Sequence, residues 1–351
     1  MEELPAESFP VLEDLVYVDS PSDSSAHDRV PTQAFANSTS LRRVAVYGND
    51  FNSWLPLPWK HISHLLTFGF LMDTALWNNT KPSLELHTAC FHLDWRNYGY
   101  NSGLHKFRDA PVQSLSRLQH LTFLCASPYD VEYPHFFFNF DFPNLRAIRF
   151  VSSKSVLSLC ETGAKAAFLN KLQALTHLAY LSLVLKFIPS ATAEELFQST
   201  PYLETLDVET PEDCSRLFHL LTLQADNPDC VLPNLKTLVL ELHPCSQLYP
   251  GPEGKDVINA SGLCSFVQSR RQREHGQQLQ RIILYSSDKS LFSHRQPYIA
   301  CLQPFVEEGL AIEYRLHDQS GSTSDVRRWA GRDPGLEDWR EGRAFFDWRG
   351  E

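Results

Sequence analysis

The residues of this chain that could hold a metal ion are a tight cluster, His87, Cys90 and His92, and a separate pair, His61 and His64. Imidazole and thiolate are ligands that zinc prefers, but a structural zinc site needs four of them, usually as two spaced pairs. No second half lies at a suitable spacing from the cluster. The spacing therefore predicts no metal site, and nothing else in the sequence points to a cofactor.

The sequence carries none of the short motifs that mark common catalytic sites. It lacks a GxSxG nucleophile elbow, a phosphate-binding Walker loop, a dinucleotide-binding GxGxxG and a zinc-peptidase HExxH. Catalytic groups can also assemble from distant parts of a chain, so an enzyme with an unrecognised site stays a minor alternative. We predict a protein that binds other molecules and does not catalyse a reaction.

The charge of the chain argues against nucleic acid as a partner. The formal net charge is -11 at neutral pH, whereas binding to nucleic acid depends on basic surface. The basic cluster Arg270, Arg271 and Arg273 lies at the end of a helical pattern, where the helix dipole favours cations. We also expect no membrane partner, because no apolar run reaches the roughly 18 residues of a membrane span.

The N-terminal sequence MEELPAESFP has neither the basic start nor the apolar core of a secretory signal. We therefore expect a cytoplasmic or nuclear protein. The eight cysteines have no paired spacing along the chain. In a reducing compartment such cysteines are expected to be small buried hydrophobic residues rather than disulfides.

A motif of the form Pro-x-Leu-x-x-Leu-x-Leu recurs along the chain and indicates its architecture. The clearest copies are Phe9–Tyr17, Phe142–Phe150, Thr200–Val208 and Leu232–Leu240. Apolar and polar residues alternate within each copy, which is typical of a short strand with one buried face. The stretch that follows often has helical spacing. We predict a single-domain α/β leucine-rich repeat solenoid, with a curved parallel sheet and outer helices.

About ten irregular copies are predicted. The first apolar position of the motif falls at Leu12, Leu41, Ile62, Leu118, Leu145, Leu178, Leu203, Leu235 and Leu279. In the wide interval after Ile62, we interpret Leu84 and Leu86 as the last two apolar positions of a degraded copy. Helices are predicted at Thr192–Ser199, Cys214–Ala225, Leu263–Arg273 and Ile299–Glu308. Thr192 and Glu195 are predicted to form a capping box at the start of the first of these.

The solenoid is predicted to occupy residues 1–315, followed by a segment at 316–351 that is rich in Trp, Arg and Asp. The tripeptide Asp-Trp-Arg begins at Asp94, Asp338 and Asp347. An Arg packed on a Trp ring suits both an end cap and a partner-binding tail, so both interpretations of this segment stay open. The Phe-rich run at 135–142 (HFFFNFDF) is expected to fill space between repeats.

Seven segments resemble the repeat half of fungal F-box proteins: LPWKHISHL at Leu57, FPNLRAI at Phe142, LTHLAYLSL at Leu175, TPYLETLDV at Thr200, LPNLKTLVLEL at Leu232, FVQSRR followed by LQRIIL between Phe266 and Leu284, and FVEEGLAI at Phe305. The resemblance extends over residues 9–315. It implies a leucine-rich repeat surface that holds a protein substrate. In that family a separate F-box docks on the Skp adaptor of a cullin-based ubiquitin ligase, so the implied function is adaptor work without catalysis.

The F-box of that family precedes the repeats, whereas here a repeat motif begins at Phe9. We therefore expect either a truncated form of a longer protein or a repeat-only interaction scaffold with no ubiquitin-ligase link. A Skp adaptor and a cullin are expected as partners only if a longer form carries an F-box. The expected partner of the repeats themselves is a protein whose identity the sequence does not encode.

The leucines of each strand motif should point inward, so the residues between them are predicted to line the solvent-facing side of the sheet. Tyrosine and arginine are favoured at binding hot spots. The alternative is that polar residues occur there only because that side meets water. The candidate protein-binding residues on this side are Tyr47, Arg149, Tyr180, Asp207, Glu209, Glu241 and Tyr285.

Overall fold

The chain is an α/β protein built on a large parallel sheet. The computed structural model describes residues 9–18, 34–47, 57–68, 85–93, 113–125, 137, 140–152, 162–185, 189–209, 214–223, 231–242, 260–271, 278–286 and 296–316. Within these residues there are an 11-stranded parallel sheet, a small two-stranded sheet and five α-helices. The predicted class, α/β with a parallel sheet, is confirmed.

The strands are short, and the α-helices whose bounds the structure describes all lie after β8 in the sequence. The strands are β1 (Asp14–Val18), β2 (Arg43–Tyr47), β3 (His64–Phe68), β4 (Thr88–Leu93), β5 (Gln113–Ser114), β6 (His120–Cys125), β7 (Phe140–Asp141), β8 (Ala147–Ser152), β9 (Tyr180–Val184), β10 (Thr205–Glu209), β11 (Thr237–Leu242), β12 (Arg281–Ser286) and β13 (Ala311–Leu316). The helices are α1 (Thr162–Ala174), α2 (Ser190–Gln198), α3 (Ser215–Leu221), α4 (Ala260–Arg271) and α5 (Gln296–Glu307).

One turn recurs at the start of the motif. The N–H of Leu145 donates to the carbonyl of Phe142 at 3.2 Å, and the N–H of Leu235 donates to the carbonyl of Leu232 at 3.2 Å. The same bond to the third preceding residue recurs at Leu12, Leu41, Ile62, Leu118, Leu178 and Leu203. This turn places the first leucine of the motif in the core and directs the chain into the strand.

A backbone carbonyl just after that leucine links most neighbouring repeats of the described residues. The carbonyl of Glu204 accepts hydrogen bonds from the N–H groups of Lys236 at 2.8 Å and Thr237 at 3.0 Å. The same double acceptance occurs at Glu13, Arg42, Ser63, His87, Gln119, Ala179 and Lys236. We call this series the carbonyl ladder. These bonds lie at the N-terminal start of the paired strands, so they hold neighbouring repeats in one register.

The carbonyl ladder corrects the interpretation of the degraded copy. His87 occupies the ladder position, so Leu86 is the first apolar residue of its repeat rather than one of the last two. Ala89 and Phe91 on β4 take the remaining apolar positions, and both are buried. The sequence pattern predicted the wrong register for this copy because Ala89 stands where leucine is usual.

The main sheet has the strand order β1-β2-β3-β4-β6-β8-β9-β10-β11-β12-β13. Leu206 is aligned with Leu238, and Leu238 with Ile282, so the motif leucines share one side, which we call the leucine face. The residues between them share the other side, because alternate residues of a strand point to opposite faces. We call it the variable face; Asp207 belongs to it and is aligned with Ser182.

The chain divides into two compact units. The first unit contains β1 to β8, and in it Phe91, Phe123 and Phe150 stand at one register position on neighbouring strands. Their ring centroids are 6.2 and 5.7 Å apart along this row. Phe137 and Phe142 add further buried rings, which confirms that the described part of the Phe-rich run fills the core.

The second unit contains β9 to β13 and all five described helices. At the register position of the strand phenylalanines, β9 to β12 carry the aliphatic residues Leu183, Val208, Leu240 and Leu284, and β13 carries Tyr314. On its leucine face buried rings come from the helices, one each from α1 to α4: Phe168, Phe197, Phe218 and Phe266. Between β9 and β12, therefore, the connecting helices supply the buried rings that the strands themselves supply on β4, β6 and β8.

Four helices lie where predicted, with shifted ends, whereas α1 was not predicted. The predicted capping box is wrong, because the helix begins earlier and Pro189 is its N-cap, without a side-chain capping bond. Thr192 and Glu195 instead contact Lys165 of α1, at 3.2 and 2.6 Å. α5 ends in a Schellman motif, in which Gly309 has a φ of 97° and its N–H donates to Val306.

Three predicted features lie outside the described residues. They are the Asp-Trp-Arg tripeptides at Asp94, Asp338 and Asp347, the C-terminal segment beyond Leu316, and residues 1–8. The two interpretations of the C-terminal segment, cap or tail, both stay open as predictions.

Candidate functional site

The candidate binding residues belong to strands of the main sheet. Glu209 is the last residue of β10, and it is aligned with Glu241 of β11, which is aligned with Tyr285 of β12. Arg315 of β13 is the next residue in this row. Neighbouring strands of a sheet are about 4.8 Å apart, so the row places these residue types side by side. We call Glu209, Glu241, Tyr285 and Arg315 the carboxyl-end row.

The carboxyl-end row combines groups that recognise peptides. Two carboxylates, a phenol and a guanidinium in succession offer hydrogen-bond acceptors and donors together with an aromatic surface. Glu209 is half-buried at the end of its strand. The other three are placed here by their register alone. Of the seven predicted residues, the structure brings three together in this row.

Three other predicted residues are buried, and the prediction that they are exposed is wrong. The exposed fractions are 1% for Arg149, 9% for Tyr180 and 1% for Asp207. The physical reason is that strand alternation fixes the face on which a side chain lies but not what lies over that face. Thr122, which is aligned with Arg149, is buried as well.

Tyr180 and Asp207 contact each other across two neighbouring strands. The Tyr180 hydroxyl donates a hydrogen bond to Oδ2 of Asp207 at 2.7 Å. Ser182, which is aligned with Asp207, is also buried. A buried phenol and carboxylate that bond each other satisfy part of each other's polarity, as buried polar groups require. This pair therefore ties β9 to β10 and does not offer a surface to a partner.

Tyr47, the last of the seven, stands at the end of β2 in the first unit. It is aligned there with Val18 and Phe68. Arg149 is also a residue of the first unit. The structure therefore does not bring either of them into the carboxyl-end row.

The histidine and cysteine cluster does not form a described metal site. Cys90 is buried on β4, and His87 precedes that strand in the carbonyl ladder. Ser63 Oγ lies 2.8 Å from Nδ1 of His64, a contact between chain neighbours at the start of β3. Among the residues that the structure describes, no group of three or more His, Cys, Asp or Glu could hold a metal ion.

Sequence analysis missed the part played by Arg270. Its guanidinium is buried and donates to the Leu221 carbonyl at 2.9 and 2.7 Å, the Val231 carbonyl at 2.7 Å and the Leu232 carbonyl at 2.6 Å. Leu221 ends α3, so Arg270 caps the C-terminus of a neighbouring helix rather than its own. Leu232 has a φ of 51°, an unfavourable backbone conformation that this bond helps to hold.

A signal for this role was present in the sequence. Arg270 continues the spacing of Leu263, Phe266 and Val267, the buried stripe of α4. A charged residue on an apolar stripe is expected to have buried partners. The next residue, Arg271, donates to the Glu308 carbonyl at 2.7 Å, just beyond the end of α5.

Comparisons with known proteins add little. No known family model matches the chain. No curated protein matches it either. A solved structure of a Bacteroides fragilis protein is similar at 11% sequence identity and a TM-score of 0.42, covering 88% of this chain and 76% of that one. A likeness at this level defines neither fold nor function. None of the described helices has the length and hydropathy that a bilayer-crossing helix needs.

Proposed function

We propose that this chain is a leucine-rich repeat solenoid that binds a protein partner on the variable face of its sheet and has no catalytic activity. The observation that carries the proposal is the alignment of Glu209, Glu241 and Tyr285 on adjacent strands. The recurring turn and the carbonyl ladder support the repeat assignment, since they give each motif the same backbone.

The binding surface that we propose is narrower than the sequence suggested. Arg149, Tyr180 and Asp207 are buried, so their side chains contribute to the sheet rather than to the contact. The carboxyl-end row lies at one edge of the variable face, where parallel strands end together. In this proposal one partner contacts Glu209, Glu241 and Tyr285, which stand at one register position on adjacent strands.

The role that fits the sequence resemblance is substrate receptor of a cullin-based ubiquitin ligase, in the cytoplasm or nucleus. The resemblance concerns the repeats only, so coupling to the Skp adaptor requires an F-box from a longer form of the protein. The rival arrangement is a repeat-only scaffold that binds a partner without any link to ubiquitin transfer.

The test is affinity purification of the tagged chain from its own cells, followed by quantitative mass spectrometry. Three proteins are compared: the wild type, a triple variant of the row (Glu209→Ala, Glu241→Ala, Tyr285→Ala) and a matched control. The control replaces the same residue types at exposed positions elsewhere in the second unit: Glu194→Ala, Tyr202→Ala and Glu307→Ala.

We expect at least one partner to fall roughly tenfold or more with the row variant and to stay with the control, since hot-spot residues contribute about 2 kcal/mol each. An identical set of proteins at unchanged levels in all three samples would contradict binding at the row. Recovery of a Skp adaptor and a cullin separates the ligase receptor from the scaffold.

A further inference from the structure

Two cysteines on neighbouring helices lie side by side. Sγ of Cys264 on α4 donates a hydrogen bond to the carbonyl oxygen of Cys301 on α5 at 3.6 Å. Both residues are half-buried, whereas Cys90 and Cys214 are buried. They are 37 residues apart in the sequence, so spacing alone did not reveal the pair.

The two helices that carry the thiols are held together by further bonds. Arg271 of α4 donates to the Glu308 carbonyl at 2.7 Å and pairs with the Glu308 carboxylate at 3.6 Å. Phe266 and Leu263 of α4 are buried, as is Leu302 beside the second thiol. The proximity of the thiols is therefore a property of a packed helix pair and not of a single side-chain conformer.

The surroundings of Cys301 define which chemistry suits the pair. Burial, followed by the neighbouring Cys264, raises the pKa of the Cys301 thiol to about 11. A thiol that keeps its proton at neutral pH is a poor metal ligand and a poor first nucleophile. It can still act in a second step, in which it attacks a sulfur already held next to it.

We propose that Cys264 and Cys301 are a modification site that closes into a disulfide when the protein meets a small-molecule disulfide such as oxidised glutathione. The Cys264 thiolate attacks one oxidant sulfur, the sulfur–sulfur bond breaks, and one glutathione thiolate leaves. Cys301 then loses its proton to solvent and attacks the Cys264 sulfur, which expels the second glutathione. The protein gives up two electrons and two protons, and the oxidant is reduced to two thiols.

The disulfide would join α4 to α5 covalently. Closing a loop of this length removes conformational freedom from the unfolded chain, which raises the stability of the folded state. The helices carry the connections into β12 and β13, so the bridge tightens the end of the second unit. The proposed protein-binding function is independent of it, because the carboxyl-end row contains no cysteine.

The experiment treats the purified, fully reduced 351-residue chain with oxidised glutathione and maps disulfides in the unreduced protein by peptide mass spectrometry. We expect a cross-linked peptide that contains Cys264 and Cys301, lost on treatment with dithiothreitol. Thiol counting should find two fewer reactive thiols than the eight in the sequence. Starting from protein that already carries glutathione on Cys264, the rate of closure should rise with pH, because the attacking group is the Cys301 thiolate and burial favours the protonated thiol.

Three variants assign the order of the two steps. Cys301→Ser should keep glutathione on Cys264, since no second thiol displaces it. Cys264→Ser should form no bridge at Cys301. Cys214→Ala, a buried cysteine of the same unit, should close as the wild type does. A wild type that retains both thiols free, or that holds stable glutathione on Cys264 without a bridge, would overturn the proposal.

Discussion

The two units of this chain build the same strand in the same way but fill the space beside it differently. On β4, β6 and β8 of the first unit, a ring at the third apolar position comes from the strand itself, as Phe91, Phe123 and Phe150. On β9 to β12 of the second unit that position is aliphatic, and buried rings come from the helices, as with Phe218 and Phe266. The strand motif therefore specifies the backbone, while the connecting segment specifies the core.

Loss of a strand ring should have the largest effect. Phe123→Ala is expected to lower the free energy of unfolding of the first unit by about 3 to 5 kcal/mol, because the ring is buried against Phe91, Phe137 and Phe150. Denaturant unfolding measures the loss. Phe123→Leu, the residue type of the second unit, should restore only part of it. A loss below about 1 kcal/mol for the alanine variant would contradict the claim that the strand rings form the core of the first unit.

The shared strand predicts equal effects at equivalent leucines. Leu121 and Leu238 both occupy the second apolar position of the motif and both are buried. Leu121→Ala and Leu238→Ala should each cost about 2 to 5 kcal/mol, and the two costs should agree within about 1 kcal/mol. Unfolding curves of both variants provide the check. A loss below about 1 kcal/mol at either site would contradict a common repeat register.

Loss of the cap that Arg270 provides to the C-terminus of α3 should destabilise the second unit. Arg270→Met removes the donors to the Leu221, Val231 and Leu232 carbonyls while it keeps an apolar chain, and we expect a cost of about 2 to 3 kcal/mol. Arg42→Met is the matched control, because Arg42 also donates to a carbonyl, that of Thr39, but is exposed. Its cost should stay below about 1 kcal/mol. Equal losses of stability for Arg270→Met and Arg42→Met would contradict the idea that burial makes the Arg270 bonds the stronger contribution.

Strand positions and their faces could be predicted from the sequence because they depend on a local period. Leu145, Leu203 and Leu235 lie where the motif places them. Exposure could not be predicted in the same way, and Arg149 and Asp207 are buried although their faces were correctly assigned. A period-two pattern encodes orientation, whereas burial depends on atoms from distant parts of the chain.

Contacts between helices were the least predictable part of the structure. Arg270 bonds to residues 38 to 49 positions away in the sequence, and Cys264 meets Cys301 from 37 positions away. No local pattern relates such positions. The helices themselves were found because their apolar residues recur at helical spacing, with α1 as the exception.

The carbonyl ladder allows a whole repeat to be gained or lost without a change in the backbone bonding between repeats. Each ladder carbonyl offers the same two-bond contact to whichever repeat follows, so repeats are interchangeable at their joints. If the 32 residues from Glu204 to Leu235 were deleted, the Ala179 carbonyl could take the place of Glu204 and bind Lys236 and Thr237. Duplication or loss of a whole repeat therefore conserves the backbone bonding, whereas an insertion of a few residues within the turn disrupts it. Chains of this kind should differ in length by whole repeats or within their connecting segments, and seldom inside the motif.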